Sequence, residues 1–407
     1  MKRRNFLQLS GMAATVPLLG SKAILSAEAG VLANGQILIC LFLRGGADGL
    51  NIVAPVGDNA YSSLRPTIGI PPPGSSADAG IDLDGFFALN PAMEPLVKHY
   101  DSGDLAFIHA AGLINDSHSH FDSQDLMDRG VTDFSSAFDG WLNRYLALDT
   151  TFQDTFRAIG IGHATPKSLV GASPTISINK IADFGLTLGD ELGPVMQNTL
   201  KGIFNKNTLL DQQAQGALSA ISTLVETDPG QYLPENGAVY PDSEFGNHML
   251  ELGQLIKSGL AMEVACIDFH GWDHHNNENQ VLPGMLDDLS SSLDAFMTDM
   301  GARMQNITLV AMSEFGRRAY ENASNGTDHG HGNFMFTLGA GVKGGRVYGN
   351  WPGLGDGQLV YNGDLAATTD YRTVLTELLG SRFGVSDPDG LFPDYAPQQL
   401  LDIYTSV

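Results

Sequence analysis

The chain is poor in cysteine and in basic residues, and each shortage excludes a class of protein. Only two cysteines occur in 407 residues, so no framework of disulfide bonds can hold the fold. Cys40 and Cys266 lie inside apolar segments and are predicted to be small core residues. Lysine and arginine number 22 against 46 acidic residues, a formal net charge of −24. Because nucleic acids and anionic lipids need a positively charged partner surface, we predict neither as a partner.

A long apolar run is also missing at the N-terminus, where residues 1–29 have the pattern of an export signal. Arg3 and Arg4 precede a mildly apolar run over 9–19, which is too short and too rich in glycine and alanine to span a bilayer stably. The paired arginines resemble a twin-arginine signal, and a general secretory signal that contains two arginines is the alternative. Removal of residues 1–29 would leave 18 basic and 45 acidic residues, a formal charge of −27. We therefore predict an exported protein, in the periplasm, without a stable membrane span.

With 43% hydrophobic residues, the rest of the chain is globular, and its strands and helices alternate. Apolar residues recur at helical spacing over 245–260 and 285–300, and helices are predicted through most of 176–260 and over 370–379. Residues 52–85 are predicted to be a surface excursion rich in proline and glycine. Five short apolar segments predict buried strands: 36–43, 105–109, 263–268, 306–312 and 334–338. This alternation predicts an α/β fold with a mainly parallel sheet flanked by helices on both faces, as a single large domain over 30–407.

Polar residues that can bind metal ions follow four of these strands. In an open parallel sheet, ligands bind beyond the carboxyl ends of the strands, so these residues are predicted to share one site. Seven of the eleven histidines lie in three of the segments concerned, which random scatter would not produce. The candidates are Asp48 after the first strand, Ser119 after the second, Asp273, His274 and His275 after the third, and Glu314 and Arg317 after the fourth, with Asp328, His329 and His331 in the loop that follows.

Mixed carboxylate and imidazole ligands suit Zn²⁺ or Mn²⁺, whereas carboxylates alone would suit Mg²⁺ or Ca²⁺. The number of candidates allows one or two ions, and a metal pair can bind the oxygens of an ester and activate a hydroxyl group. A helix that begins near Ser119 would also direct backbone N–H groups at an anion.

Each cluster also has a purely structural interpretation. Ser119 can cap a helix, Asp48 can be a turn residue between two glycines, and Glu314 can pair with a neighbouring arginine. The segments 273–275 and 328–331 fit exposed polar turns as well.

The order of the motifs resembles a bacterial family exported by the twin-arginine route, the domain of unknown function number fifteen-hundred-and-one. The resemblance covers nearly the whole chain and depends on the N-terminal arginines and on five segments: 42–51, 119–124, 271–275, 313–317 and 327–330. That family is in turn similar to the alkaline phosphatase and sulfatase superfamily, whose members hydrolyse phosphate or sulfate esters with one or two metal ions.

This second resemblance implies roles for several candidates. It makes Asp48 a metal ligand, Ser119 the nucleophile that opens a helix, and Asp273 a ligand together with His275 or His274. The superfamily's later Asp-His pair has two possible positions. One is Asp328 with His329. The other is Glu314 with Phe315, directly after the fourth strand, which leaves His329 or His331 as a late histidine ligand.

We favour the second position, because the strand determines where a ligand lies. Glu-Phe then replaces Asp-His, so one metal site loses an imidazole, and the context of Ser119 differs from that of sulfatases.

The predicted function is an exported metal-dependent hydrolase of a phosphate or sulfate ester. Ser119 would attack a small anionic ester, and Arg317 would bind its charged group. The alternative is a non-catalytic protein on the same scaffold that binds a ligand or an exported partner protein.

Overall fold

The structure is a computed structural model, and it describes residues 35–115, 117–149, 154–184, 189–206 and 208–407. The predicted export signal, residues 1–29, lies outside the described residues. Within them, no helix is long and apolar enough to cross a membrane.

A mainly parallel sheet forms the centre of the molecule. Its strands, numbered along the chain together with a small separate sheet, are β1 (Ile37–Arg44), β2 (Val53–Ala54), β3 (Ile81–Asp82), β4 (Ala88–Leu89), β5 (Leu105–Gly112), β6 (Ala158–Ile161), β7 (Ile176–Ile178), β8 (Val264–His270), β9 (Ile307–Met312), β10 (Asn333–Gly339), β11 (Val347–Tyr348) and β12 (Thr369–Asp370). The order in the large sheet is β11–β5–β10–β9–β1–β8–β6–β7, with β12 beside β5, while β2, β4 and β3 form the small sheet. β10 pairs antiparallel with both of its neighbours, and the other pairs of the large sheet are parallel.

Helices cover both faces of the large sheet, as predicted. They are α1 (Gly49–Ile52), α2 (Tyr61–Leu64), α3 (Val97–Asp101), α4 (His120–Arg129), α5 (Trp141–Ala147), α6 (Gly189–Ile203), α7 (Leu209–Thr227), α8 (Glu244–Lys257), α9 (Glu278–Met300) and α10 (Tyr371–Phe383). Side chains of β1 alternate between two cores because successive residues of a strand point to opposite faces. Ile39 and Leu41 contribute to the core that includes α8 and α9, whereas Leu38 and Phe42 contribute to the core with α4, α5 and α10.

The five predicted strands correspond to β1, β5, β8, β9 and β10. Sequence patterns missed β6 and β7, which are only four and three residues long, and β7 begins the stretch expected to be mostly helical. Cys40 and Cys266 are buried on paired positions of β1 and β8, in the core, as predicted.

The parallel arrangement brings the strand ends to one edge of the sheet. β1, β8 and β9 end there, and the antiparallel β10 begins there, so the loops that follow or precede them meet. Gly45 allows the loops after β1 and β8 to approach closely. Its φ is +127°, and a Cβ atom at this position would lie 2.7 Å from the backbone nitrogen of Asp273.

Candidate metal centre

Three imidazoles and one carboxylate converge at this edge. His120, Asp273 and His329 each direct one ligand atom into a group whose members lie within 4.8 Å of one another. His275 joins them, with its Nε2 atom 3.1 Å from Asp273 Oδ1 and 3.0 Å from His329 Nε2. We call these four residues the Asp273 cluster. The sheet thus assembles side chains from segments that are far apart in the sequence.

A buried carboxylate fixes the ring of His120. Its Nδ1 atom lies 2.7 Å from Oε1 of Glu314, a residue with no solvent exposure. Since an ionised carboxylate only accepts hydrogen bonds, Nδ1 of His120 carries a proton. The other nitrogen, Nε2, is buried and makes no hydrogen bond within the described residues. It lies 3.5 Å from Asp273 Oδ1.

The rings of His275 and His329 are held in the same way. Nδ1 of His275 lies 3.2 Å from Oδ1 of Asp328, and Nδ1 of His329 lies 2.8 Å from the backbone oxygen of His118. Both rings therefore carry their proton on Nδ1 and direct Nε2 towards Asp273. Burial lowers the pKa of His329, which favours its neutral form. In metal-binding histidines, one ring nitrogen usually donates its proton to an acceptor of the protein, and the other nitrogen binds the metal.

The ligand atoms of His120, Asp273 and His329 lie close enough together for a single ion, and Nε2 of His275 is close to two of them. Ligand atoms placed about 2.0–2.2 Å from a tetrahedral metal ion lie about 3.3–3.6 Å apart. The separations around Asp273 Oδ1 are 3.1 Å to His275, 3.3 Å to His329 and 3.5 Å to His120. Imidazole nitrogens together with a carboxylate are ligands that Zn²⁺ and similar ions take in proteins. The donor set therefore suits a divalent cation.

Arg317 holds Asp273 in place. Its Nη2 atom donates to Asp273 Oδ1 at 2.7 Å, and the guanidinium is buried. Burial by itself would raise the pKa of Asp273, but the hydrogen bond and the charge of Arg317 outweigh it and lower this pKa to about 2. The remaining donors of Arg317 bind the backbone oxygens of Gly45, Gly46, Trp272 and Thr327. Arg317 thus joins the loops around the cluster, and all three of its side-chain nitrogens are hydrogen-bonded to the protein.

Glu314 and Phe315 form the back of the cluster. Although burial opposes ionisation of Glu314, hydrogen bonds from His120, from Gln124 and from backbone N–H groups lower its pKa. The ring of Phe315 packs 4.7 Å from the ring of His120 and 4.8 Å from that of His329. Glu314 therefore orients an imidazole, and Phe315 supports two of them.

The sequence around α4 explains the position of His120. Ser119 is the N-cap residue, and its hydroxyl accepts a hydrogen bond from the amide of Asp122 at 3.4 Å. Arg44, the last residue of β1, binds both oxygens of Asp128 at 2.8 and 3.1 Å, which anchors α4 to the sheet. The hydroxyl of Ser119 thus caps the helix that carries His120.

Asp48 lies in a different, fully buried group. It forms an ion pair with Arg65, and its other oxygen accepts from the amide of Leu50. Glu278, without solvent exposure, is hydrogen-bonded to Asp48, and burial raises its pKa well above the usual range. We call Asp48, Arg65 and Glu278 the Asp48 cluster. The structure does not bring Asp48 to the Asp273 cluster.

His331 is also separate from the Asp273 cluster. Its Nδ1 atom accepts from the amide of Ala367 at 3.3 Å, and its ring packs against Tyr361. His274, the alternative partner of Asp273, is buried against Met285. Of the sequence candidates for metal binding, Asp273, His275 and His329 thus converge. Glu314 and Asp328 lie one contact further out, while Asp48 and His331 lie elsewhere.

Sequence analysis did not select His120 as a site residue. Its signal was present, because His120 lies in a strand-end segment that contains two histidines. The capping motif there pointed to Ser119 instead, and the side-chain direction at a helix start cannot be derived from residue types.

One protein-family model matches part of the chain. Residues 200–392 match the model of a family described as "Protein of unknown function (DUF1501)". The matched region contains Asp273, His275, Glu314 and His329, whereas His120 precedes it. No curated protein matches the chain.

Among solved structures, the fold is similar to three bacterial proteins. The lipoteichoic acid synthase LtaP from Listeria monocytogenes has a TM-score of 0.35 at 7% identity, over 84% of this chain and 73% of that one. The C-terminal periplasmic domain of EcEptC from Escherichia coli, in a complex with Zn, has a TM-score of 0.30 at 10% identity, over 77% of this chain and 74% of that one. Alkaline phosphatase from the Antarctic bacterium TAB5 has a TM-score of 0.31 at 7% identity, over 76% of this chain and 92% of that one.

Proposed function

We propose that this chain is a metal-dependent hydrolase of a phosphate or sulfate ester. The observation that supports it is the convergence of three imidazole nitrogens on Asp273 Oδ1, each ring being fixed through its other nitrogen. His120, Asp273, His275 and His329 would hold one divalent ion. The proposal includes one ion, because Asp48 and His331, the other sequence candidates, lie apart from this group.

Three nitrogen donors and one oxygen donor favour Zn²⁺ or a similar transition metal over Mg²⁺ and Ca²⁺, which prefer oxygen ligands. Such an ion would supply Lewis-acid polarisation of a phosphoryl or sulfuryl oxygen. Glu314 and Asp328 keep the proton on Nδ1 of His120 and His275, so that both Nε2 atoms stay available. Arg317 keeps Asp273 ionised and oriented. The exposed side of the cluster is formed by Asp273, which is 46% exposed, so substrate would approach there.

The nucleophile is either Ser119 or a water molecule in the proposal. Ser119 is the residue before His120, and its hydroxyl is half-buried and accepts the capping hydrogen bond. Accepting that bond leaves the proton of the hydroxyl free to be donated. Ser119→Ala separates the two cases, because loss of turnover with unchanged metal content indicates Ser119 and retained turnover indicates water.

The test is to load the purified chain with Zn²⁺ or Mn²⁺, measure the bound metal, and assay a panel of aryl phosphates and aryl sulfates. We expect one equivalent of metal and hydrolysis that a chelator abolishes. His329→Ala should lose both metal and activity, while His163→Ala, at an exposed position, should change neither. Absence of bound metal would overturn the proposal, and so would full activity of the His329 variant.

A second candidate function is metal or ligand binding without turnover. Two observations favour it: Arg317 directs its donors into the protein, and the hydroxyl of Ser119 takes part in the helix cap. A stoichiometric metal ion without hydrolysis of any ester in the panel would support this candidate over the first.

The proposal retains export by the twin-arginine route, with residues 1–29 as the signal. Fusing these residues to a reporter protein tests it, since replacing Arg3 and Arg4 by lysine should prevent export. Continued export of that variant would indicate a general secretory signal.

A further inference from the structure

Arg318 differs from the other arginines around the Asp273 and Asp48 clusters in how its guanidinium is used. Arg44, Arg65 and Arg317 each engage all three nitrogens in contacts with the protein. Within the described residues, the side-chain hydrogen bonds of Arg318 all use Nη1. This atom donates to the hydroxyl of Tyr320 at 2.9 Å and to the backbone oxygen of Asn362 at 3.0 Å.

The opposite edge of this guanidinium is open. Nε and Nη2 of Arg318 make no hydrogen bond or ion pair with any residue that the structure describes, and the side chain is 25% exposed. The Nε and Nη2 pair of an arginine presents two parallel N–H groups, the geometry that binds a carboxylate, phosphate or sulfate through two oxygens. The positive charge is only partly balanced inside the protein, since the nearest oxygen of Asp364 is 3.8 Å away.

A buried carboxylate lies near the Nη1 side of the Arg318 guanidinium, and it is bonded to a histidine whose ring contacts a half-exposed tyrosine. Asp364 is fully buried, and its Oδ2 atom binds His118 Nε2 at 2.7 Å, while its Oδ1 atom, on the side of Arg318, has no hydrogen bond within the described part of the chain. The ring of Tyr361 is half exposed and packs edge-on at 6.2 Å from the ring of His118. Tyr361 has a φ of +47°, an unfavourable backbone conformation for an aromatic residue, which the turn before Asp364 maintains.

This group of residues adjoins the Asp273 cluster through two backbone contacts. The amide of Arg318 donates to the backbone oxygen of Asp328 at 3.0 Å, and Asp328 orients His275. The backbone oxygen of His118 accepts the hydrogen bond from His329. Arg318 and His118 are therefore direct neighbours of residues that orient or form the proposed metal centre.

We propose that the open Nε and Nη2 edge of Arg318 binds an oxyanion of the substrate. The inference rests on the proposed function, because it places this anion on the ester that is hydrolysed. It transfers the role of anion binding from Arg317, which the sequence suggested, to the next residue. The oxyanion is either the group being transferred or a second anionic group elsewhere on the substrate.

Binding of inorganic phosphate and of sulfate to the metal-free protein, measured by titration calorimetry, tests the subsite without relying on activity. Loss of a charged hydrogen-bonding pair predicts about ten- to a hundredfold weaker binding for Arg318→Gln. Arg318→Lys should retain part of the affinity, because lysine keeps the charge and loses the two parallel donors. The matched control is Arg303→Gln. Arg303 is exposed, pairs with Glu235, and lies just before the start of β9, at the opposite edge of the sheet.

Hydrolysis by the metal-loaded protein distinguishes the two sources of the anion. If Arg318→Gln reduces kcat/KM equally for phenyl phosphate and 2-carboxyphenyl phosphate, Arg318 contacts the transferred group. A reduction confined to the second compound means that it contacts a second anionic group.

The subsite is overturned if the wild-type protein binds neither anion, or if Arg318→Gln binds them as tightly as the wild type. Failure of the proposed function is a separate outcome. In that case no metal binds, while the difference between Arg318→Gln and Arg303→Gln in phosphate binding remains.

Discussion

The Asp273 cluster and the Asp48 cluster lie at the same edge of the sheet and are built from similar charged residues, yet their charges are balanced differently. In the Asp48 cluster, the carboxylate of Asp48 pairs with Arg65, and Glu278 is hydrogen-bonded to it with a raised pKa. Every charge there is compensated within the protein and excluded from solvent. In the Asp273 cluster, the carboxylate accepts from Arg317, and the Nε2 atoms of three imidazoles lie 3.1–3.5 Å from it.

The difference shows why a strand-end carboxylate does not by itself indicate a metal site. Asp48 satisfies the positional criterion at the end of β1 and, like Asp273, pairs with a buried guanidinium, but within the described residues it has no imidazole among its hydrogen-bond and ion-pair partners. Asp273 is surrounded by three imidazoles whose Nδ1 atoms are held by other groups of the protein. A cation bound between their Nε2 atoms and the carboxylate would therefore lower the electrostatic energy. The unpaired acceptor atoms distinguish the two clusters.

The largest expected effect concerns the stability provided by the Asp48 cluster. Arg65→Met leaves Asp48 as a buried, unpaired charge and should lower the free energy of unfolding by about 3–5 kcal/mol. Chemical denaturation monitored by circular dichroism measures it. Arg303→Met is the control, because the exposed pair of Arg303 with Glu235 should contribute only about 0–1 kcal/mol. An equal effect of both variants would contradict the account of the Asp48 cluster.

The next effect concerns the residue behind His120. Glu314→Gln removes the charge that keeps the proton on His120 Nδ1, and it should weaken zinc binding by about ten- to a hundredfold. Competition with a chromophoric chelator measures this affinity. Glu235→Gln, at an exposed position far from the cluster, is the matched control. If the two variants bind zinc equally well, Glu314 has no orienting role.

A smaller effect is expected at Glu251, a carboxylate that lies in neither cluster. Burial raises its pKa to about 7, and one of its oxygens has no hydrogen bond within the described residues. A folded-state pKa above the unfolded value means that stability decreases as the pH rises from about 4.3 to about 7. Glu251→Gln should therefore raise the free energy of unfolding at pH 8 and flatten its pH dependence over this range. Urea denaturation across the range checks this, and an unchanged profile would contradict it.

The smallest effect is expected at His331, which lies two residues from His329 in the sequence. Because its Nδ1 atom binds the amide of Ala367 and its ring packs on Tyr361, His331→Ala should leave zinc affinity unchanged. His329→Ala should abolish tight binding. The same chelator competition measures both variants, and a similar loss in each would mean that the two histidines have equivalent roles.

The fold could be predicted well from the sequence, because the long buried strands β1, β8 and β9 are continuous apolar runs and their order along the chain implies parallel pairing. The short strands β6 and β7 escaped prediction, since runs of three or four residues carry too little pattern. The antiparallel direction of β10 was not predicted either, because pairing direction depends on tertiary contacts.

For the candidate site, the sequence indicated the edge of the sheet and the segments, but it did not distinguish ligands from their supports. Asp273, His275 and His329 were selected and converge. Glu314 and Asp328 were also selected as ligands, yet each binds the outer nitrogen of an imidazole. That difference depends on side-chain direction at distances of about 3 Å, the range of a single hydrogen bond, which residue spacing does not determine.

The most direct test of the central claim is a crystal structure of the zinc-soaked protein, with anomalous diffraction measured at the zinc absorption edge. The account predicts one strong anomalous peak about 2.0–2.2 Å from Nε2 of His120, His275 and His329 and from a carboxylate oxygen of Asp273. A peak at the Asp48 cluster, or no peak at the Asp273 cluster, would contradict it.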